Sequence, residues 1–397
     1  METLVESILQ SMSNVKKPQQ AFLKTLFSVL TVFQGRATFR NMSRYADVSE
    51  KYFSRWYRRH FDFVEFMVQL LLQSLPKDSI KIAAIDASFI SKSRQSTDGL
   101  GWFYNGVAGE AQRGLEASVV CVVDLKANTA YALDARQTID EANKTRVDLY
   151  AEQVVSLSPQ LQKLGIRHVA ADAYYSKVKF VSRVTEVGLD IVGKLRVDAQ
   201  LKWLYEGEYS GRGRPKKFAG KVDFTNDLAR FQFTGTLNDG AKAYTTVVYS
   251  KSLKRTIRVV MLRWEKNGKI GTALLYSTDT TLDAMTLIAY YKARFQIEFL
   301  FREAKQHTGL THCQSPRKDA IHTHMNASLI ALTLLKLEDR SEKQVDTETV
   351  ISMASWKRKK FNQHLMIRLF DELGLSLKRL KITHVYERMS DYGAIGS

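Results

Sequence analysis

The feature that most constrains this chain is the texture of residues 79–195, where apolar runs of strand length come first alone and then alternate with segments of helical period. Ile80-Lys81-Ile82-Ala83-Ala84-Ile85 reads as a buried strand ending in Asp86, after which Ser88, Ser91, Lys92, Ser93 and Arg94 open a polar loop. Glycines 99, 101, 106, 109 and 114 keep the following segment irregular until Leu115. Residues 116–123 and 129–135 read as two further strands joined by the turn Asp124-Leu125-Lys126-Ala127-Asn128, an antiparallel meander with the first strand. Next come a helix over 144–156, a core strand over 166–171 ending in Asp172, a helix over 177–187 and a strand over 189–195.

Three strands, then helix, strand, helix, strand, is the order of an RNase H-like fold, which places the chain in the α/β class. Its core begins at residues 79–200. Within it two strands end in an aspartate, and a carboxylate there is a rigidly held ligand or, alternatively, a strand-end cap. Residues 201–280 read as a β-rich insertion, with runs over 231–237, 244–249, 257–264 and 272–276 broken by Asn238-Asp239-Gly240 and Asn267-Gly268 turns. Ahead of them Gly211-Arg212-Gly213-Arg214-Pro215-Lys216-Lys217 concentrates positive charge in a flexible loop, so Arg212, Arg214 and Lys216 are candidate phosphate contacts unless the loop is only a solvated linker. The core resumes over 281–315.

Residues 283–307 read as one helix. At about 100° per residue Tyr291, Arg294, Glu298 and Lys305 fall within an arc of about 60°, with Arg302 close by and Phe295 and Phe299 flanking. A carboxylate beside two cations and a phenol suits a site for a metal and a phosphate chain, whereas a solvated face with an ordinary Arg294–Glu298 pair is the plainer alternative.

Helical regions flank the core over 1–78 and 316–397. In the first, residues 38–45, the turn Ala46-Asp47-Val48 and a helix capped by Ser49 resemble a helix-turn-helix whose second helix carries Arg55, Arg58 and Arg59. The basic run Lys357-Arg358-Lys359-Lys360 in the second reads as helical cover or as a contact for DNA or a second protomer. Net charge is +18, from 59 Lys and Arg against 41 Asp and Glu, and the basic residues are spread through folded segments, so the polyanion they answer is nucleic acid and not a membrane surface. Cys121 and Cys313 stand far apart without CxxC spacing and read as free thiols of the cytoplasm. The first residues carry acids where a signal peptide would carry bases, so none is expected there, and no apolar run reaches the roughly 18 residues of a membrane span. His307, His312, Cys313, His322 and His324 crowd one region but match no zinc spacing.

Asp86, Asp172 and Glu298 together make a plausible three-carboxylate site for two Mg²⁺ ions, since hard oxygen ligands suit Mg²⁺ or Mn²⁺ and an ion pair serves phosphodiester displacement. Tyr291-x2-Arg294-x3-Glu298-x6-Lys305 resembles the Y-R-E-K signature of DDE transposases of bacterial insertion sequences, of the insertion-sequence-four group. The strand ending in Asp86, the Ala171-Asp172-Ala173-Tyr174 segment and the basic loop are similar to other blocks of that family, and the resemblance covers residues 80–315. It implies a cut-and-paste transposase in which Asp86, Asp172 and Glu298 hold two divalent metals, with Mn²⁺ able to replace Mg²⁺. Water cleaves one strand at the transposon end, and the freed 3′-hydroxyl attacks, in related enzymes by way of a hairpin. The same resemblance gives Tyr291, Arg294 and Lys305 a grip on phosphates, with Arg302 beside them. Its aromatic for a flipped base is Trp264 here, with Trp203 second. It also implies double-stranded DNA as partner, both transposon ends and target, a homodimer or higher assembly on that DNA, and a nucleoid-associated place in the bacterial cytoplasm. The departure from the pattern is the long Gly- and Ser-containing segment after Asp86. The rival functions are a silent descendant that binds specific DNA and an RNase H-like nuclease.

Overall fold

The computed structural model of the protein describes residues 1–209, 211, 214–224, 226–266, 268–342 and 352–394. In chain order it opens with α1 (Glu2–Ser11), α2 (Lys17–Val32), α3 (Phe39–Met42), α4 (Glu50–Trp56) and α5 (Phe63–Ser74). Strands β1 (Lys81–Ser91), β2 (Gly101–Asn105), β3 (Glu110–Asp124) and β4 (Thr129–Gln137) follow. Then come α6 (Arg146–Ser156), α7 (Ser158–Lys163), β5 (His168–Ala170), α8 (Val178–Glu186) and β6 (Asp190–Leu195). A β stretch holds β7 (Leu201–Leu204), β8 (Phe218–Lys221), β9 (Gln232–Thr236), β10 (Lys242–Ser250), β11 (Arg255–Lys266) and β12 (Lys269–Ser277). The chain ends with α9 (Ala284–Ala293), α10 (Gln296–Glu303), α11 (Lys318–Glu342), α12 (Met353–Glu372) and α13 (Leu380–Ser390). The class is mixed α/β. No helix of the described residues is long and apolar enough to cross a membrane.

Two compact units divide the chain. One comprises Met1–Ser79, Ala87–Ile139 and Glu298–Ser397, and the other Ile80–Asp86 and Asp140–Ile297.

In the first unit β3 pairs antiparallel with both β2 and β4. Its residues from Gly114 to Asp124 are buried without interruption, as a strand covered on both faces must be. On the neighbouring strand β4 lies α11, whose residues are buried nearly throughout from Ala320 to Leu337. Asn326 anchors it there: its Nδ2 donates to the Ala135 carbonyl at 2.9 Å and its Oδ1 accepts from the Ala135 N–H at 3.0 Å. Two charged side chains buried on that helix are matched, Lys336 by Glu303 at 2.8 Å and Asp339 by the Trp356 indole N–H at 2.6 Å, because an unmatched polar group there costs about 1–3 kcal/mol.

The second unit holds a mixed sheet. β1 pairs parallel with β5 and β5 with β6, after which β12, β11, β10, β7 and β8 continue antiparallel, with β9 also on β10. The β stretch therefore extends the sheet beyond β6. α9 lies on this sheet: Ala284, Leu287 and Ile288 pack with Val192, Val260 and Leu275, and burying each of the larger aliphatic side chains stabilises by about 1.5–3 kcal/mol. Asp283 starts that helix by accepting the Thr286 N–H at 2.9 Å.

Three expectations are corrected. The first strand does not end at Asp86 but runs on to Ser91. The glycine-rich segment before Leu115 is not irregular, since β2 and the start of β3 form there. Its glycines sit at the turn, where Gly109 takes φ +71°, and at the ribbon root, where Gly101 faces Gly114. The single helix expected over 283–307 is broken between Ala293 and Gln296, where Phe295 N–H bonds Lys292 O and Ile297 N–H bonds Arg294 O in tightened three-residue steps.

Candidate active site

Ala84 of β1 is the register partner of Ala170 of β5. Asp86 and Asp172 each lie two residues further along, so the two carboxylates leave neighbouring parallel strands at the same level, and strands so paired stand about 4.8 Å apart. Asp172 follows the end of β5 and caps the 3₁₀ turn Ala173–Tyr175, accepting the Tyr174 N–H on Oδ1 at 2.8 Å. The cap therefore occupies one of its two oxygens. Beside it the exposed Tyr174 ring lies under the Lys177 ammonium at 4.1 Å.

Asp86 has a cationic neighbour in the same unit. Arg294, 6% exposed, brings a guanidinium nitrogen to 3.8 Å from Asp86 Oδ2. That guanidinium also stacks on Phe295 at 4.8 Å and approaches Tyr291 at 5.8 Å. Tyr291 is half-buried against the apolar cluster under α9, which fixes its ring.

In the other unit Glu298 is exposed in the first turn of α10. Arg302, one turn on, is exposed and lays its guanidinium over Phe299 at 4.6 Å. After α10 the backbone widens into a π-helical turn, Ala304–Thr308, closed by Gly309 in the left-handed region. Lys305 of this turn donates to Ser88 Oγ at 2.8 Å and to the Phe89 carbonyl at 3.1 Å, and burial lowers its pKa. The uniform helical projection over Tyr291, Arg294, Glu298 and Lys305 thus does not describe one continuous helix.

The other candidates are placed as follows. Arg55 is exposed on the last turn of α4, and Arg58 and Arg59 are exposed but lie beyond that helix, which is shorter than expected and ends at Trp56. Trp56 stacks on Phe22 of α2 at 5.6 Å, which leaves the basic side of α4 outward. Arg214 and Lys216 are exposed in the connection between β7 and β8, with Lys216 over the Tyr205 ring at 5.1 Å. Arg212 and Asn267 lie outside the described residues. Trp264, 38% exposed on β11, faces Gly271 of β12, where a Cβ would stand 2.3 Å from the indole. Its ring lies flat over a glycine. Trp203 is buried instead, donates to Asp227 at 2.8 Å and is covered by Arg230 at 3.8 Å, so it has no face for a base. The 357–360 run is largely consumed internally: Lys357 is buried, Lys359 pairs with Glu342 at 2.8 Å and Lys360 with Glu338 at 2.7 Å.

Sequence reasoning missed Ser88, Gly271 and a group formed by His168, Asp190 and Asp279, whose ligand atoms lie within 4.8 Å of one another. His168 opens β5 and Asp190 opens β6, the opposite end of these strands from Asp172. Arg167 bonds Asp190 at 2.9 Å and reaches Asp279 at 3.8 Å, while Thr278 and Thr281 donate to the remaining oxygens. A guanidinium already supplies the positive charge that a metal would bring. The crowded histidines are likewise engaged: His312 accepts the Ala37 N–H and His324 bonds the Gly309 carbonyl.

Among solved structures the chain is similar to Endonuclease V of Ciona intestinalis in complex with a 24mer DNA, at 10% identity and a TM-score of 0.29, over 58% of this chain and 87% of that one. It is similar also to the NurA nuclease from Sulfolobus solfataricus, at 12% identity and a TM-score of 0.26, over 69% and 92%. No curated protein matches the chain. Residues 77–334, more than half of the sequence, match the family model described as the transposase DDE domain, and the chain belongs to that family.

Proposed function

We propose that this chain is a DNA transposase of a bacterial insertion sequence, of the insertion-sequence-four group, which cuts at the transposon ends and joins them to target DNA by cut and paste. The observation that carries the reading is the register of β1 and β5, which sends Asp86 and Asp172 from adjacent parallel strands at one level. An RNase H-like core accords with β1, β5 and β6 in parallel and β3 and β4 antiparallel.

Asp86, Asp172 and Glu298 are the residues to hold two divalent ions, Mg²⁺ or Mn²⁺. The donor set fits: all three offer hard oxygens, Asp86 is partly exposed and Glu298 exposed, and Asp172 accepts the Tyr174 N–H on Oδ1. When bound, such ions activate the attacking oxygen and neutralise the leaving one. The chain's own groups do the rest. Arg294 balances the charge of Asp86 and holds its carboxylate in place. Tyr291 and Arg302 offer a phenol and a guanidinium to phosphates near the cut. Lys305 spends two of its three donors on Ser88 and Phe89 and keeps the third for a phosphate. Trp264, spread over Gly271, offers a ring face to a base flipped out at a hairpin intermediate. Arg55, Arg58, Arg59, Arg212, Arg214 and Lys216 contact duplex phosphates, and two copies work on paired ends.

The test is cleavage of labelled DNA carrying the flanks of the gene's own locus. Asp86→Ala leaves Arg294 buried without its carboxylate, so Asp86→Asn and Glu298→Gln are assayed beside it and the melting of each is recorded. Metal-dependent nicking at the ends, lost in all three variants with duplex binding kept, and joining to a target plasmid are expected. Normal cleavage by Glu298→Gln would remove Glu298 from the ligand set. Specific binding by the wild type without cleavage would replace the enzyme with a silent DNA-binding descendant.

A further inference from the structure

The ribbon formed by β2 and the first residues of β3 has two unlike faces. Phe103, Asn105, Gln112 and Glu110 share one, where Phe103 is buried and Asn105 bonds Gln112 at 2.8 Å. The other carries Trp102 and Tyr104, each 65% exposed, opposite Arg113 and Ala111. Beyond them the turn carries Val107, 98% exposed. Two large rings on the open side of a ribbon are an unusual expense of apolar surface, and such a patch marks an interaction site.

Three observations say what meets it. First, the only charge on the aromatic face is Arg113, which has no carboxylate partner among the described residues, in a chain of net charge +18; a polyanion suits such a face and an acid-free apolar partner does not. Second, Trp102 and Tyr104 are two residues apart on one strand, about 6.6 Å, and the residue opposite Tyr104 is a small alanine that leaves its ring uncovered. Aromatic faces at that spacing accept bases, which expose their own faces only where the strand is unpaired. Third, the root of the ribbon is held in place: a Cβ on Gly114 would stand 2.5 Å from the Phe89 ring and 2.7 Å from the Ile90 carbonyl, so the glycine admits a close contact with the part of β1 in the same unit, and the rings are presented on a fixed base.

We propose that the Trp102–Tyr104 face of this ribbon is a stacking platform for unpaired nucleotides of the DNA substrate, with Arg113 on the adjoining phosphate. The inference rests on the reading of the chain as a DNA transposase, since cutting and opening a duplex end is what supplies unpaired nucleotides.

Fluorescence anisotropy on the full chain tests it, with a labelled 20-nucleotide single strand and the blunt duplex of the same sequence as probes. The double variant Trp102→Ala, Tyr104→Ala is expected to bind the single strand about ten-fold or more weakly, while duplex affinity moves less than about two-fold. Trp102→Phe, Tyr104→Phe keeps the ring faces and is expected to restore the affinity. Arg113→Ala is expected to flatten the salt dependence of single-strand binding by about one unit of slope. Unchanged single-strand affinity in the double alanine variant, at unchanged melting temperature, would overturn the platform while leaving the transposase reading intact. A wild type that binds neither probe would remove the DNA reading itself. Conversion of a dimer to a monomer in the double alanine variant by light scattering, with both affinities kept, would make the face an interface between copies and overturn the proposal.

Discussion

Lys305 carries two demands at once, a grip on phosphate and a tie to β1. Its bonds to Ser88 Oγ and the Phe89 carbonyl are made by a part-buried ammonium, and deleting such a donor leaves part-buried acceptors unsatisfied at a cost of about 1 kcal/mol. Lys305→Ala should therefore lower the urea midpoint, whereas Arg302→Ala, whose exposed guanidinium lies on the Phe299 ring, should change stability by less than about 0.5 kcal/mol. Equal neutrality of the two variants in urea unfolding would mean that the tie contributes nothing. The sequence makes Lys305 conspicuous by its seven-residue step from Glu298 but hides Ser88, its partner 217 positions away. Nor does the sequence disclose that Arg294 is buried against Asp86, because an arginine on a mixed helix face is ordinarily solvated.

At the scale of elements, what was legible is what burial dictates. β3 from Gly114 onward and most of β4 are buried on both faces and so announce themselves, and α11 reads as a core helix from the same cause. Ends were not legible. β1 continues past Asp86 through residues that look like loop, since a strand half-open to solvent tolerates serines. The break after α9 left no mark, because the 3.6-residue period continues across it in the sequence. The connection from β7 to β8 is a case where the sequence said enough: a Pro- and Gly-bearing basic loop that carries exposed Arg214 and Lys216. If these side chains meet phosphates, Arg214→Ala weakens binding to duplexes of every sequence alike and lowers the slope of log affinity against log salt by about 1. Anisotropy titrations between low and moderate salt read that slope, and an unchanged slope would make the loop a solvated linker.

For the molecule as a whole, the large positive charge sits beside two bases that the fold keeps dry. His324 is fully buried, and desolvation pushes its pKa down to about 4 from 6.5 while it bonds the Gly309 carbonyl. Lys357 is buried, donates to the Leu30 carbonyl at 3.2 Å above the Phe33 ring, and is pushed down by desolvation to about 7 from 10.5. In both cases the folded pKa lies below the unfolded one, so the unfolded chain binds more protons and stability rises with pH. For His324 the stability present above pH 6.5 is lost as the pH falls to about 4. For Lys357 the fold carries a cost below pH 7 that is relieved between about 7 and 10.5. At about 1.4 kcal/mol per pKa unit the first swing is at most about 3 kcal/mol and the second at most about 5, the carboxylates adding their own acid loss below pH 5. Denaturant unfolding from pH 4 to pH 10 should therefore give a stability that climbs on both sides of neutrality, unlike the dome of a protein whose bases are solvated. Lys357→Met keeps the stem in contact with Phe33 and removes the ammonium, so it should stabilise the protein at pH 7 and flatten the alkaline limb alone. An alkaline limb that survives in Lys357→Met would assign the rise to another group, and a flat acid limb in the wild type would mean that His324 is hydrated in the folded state.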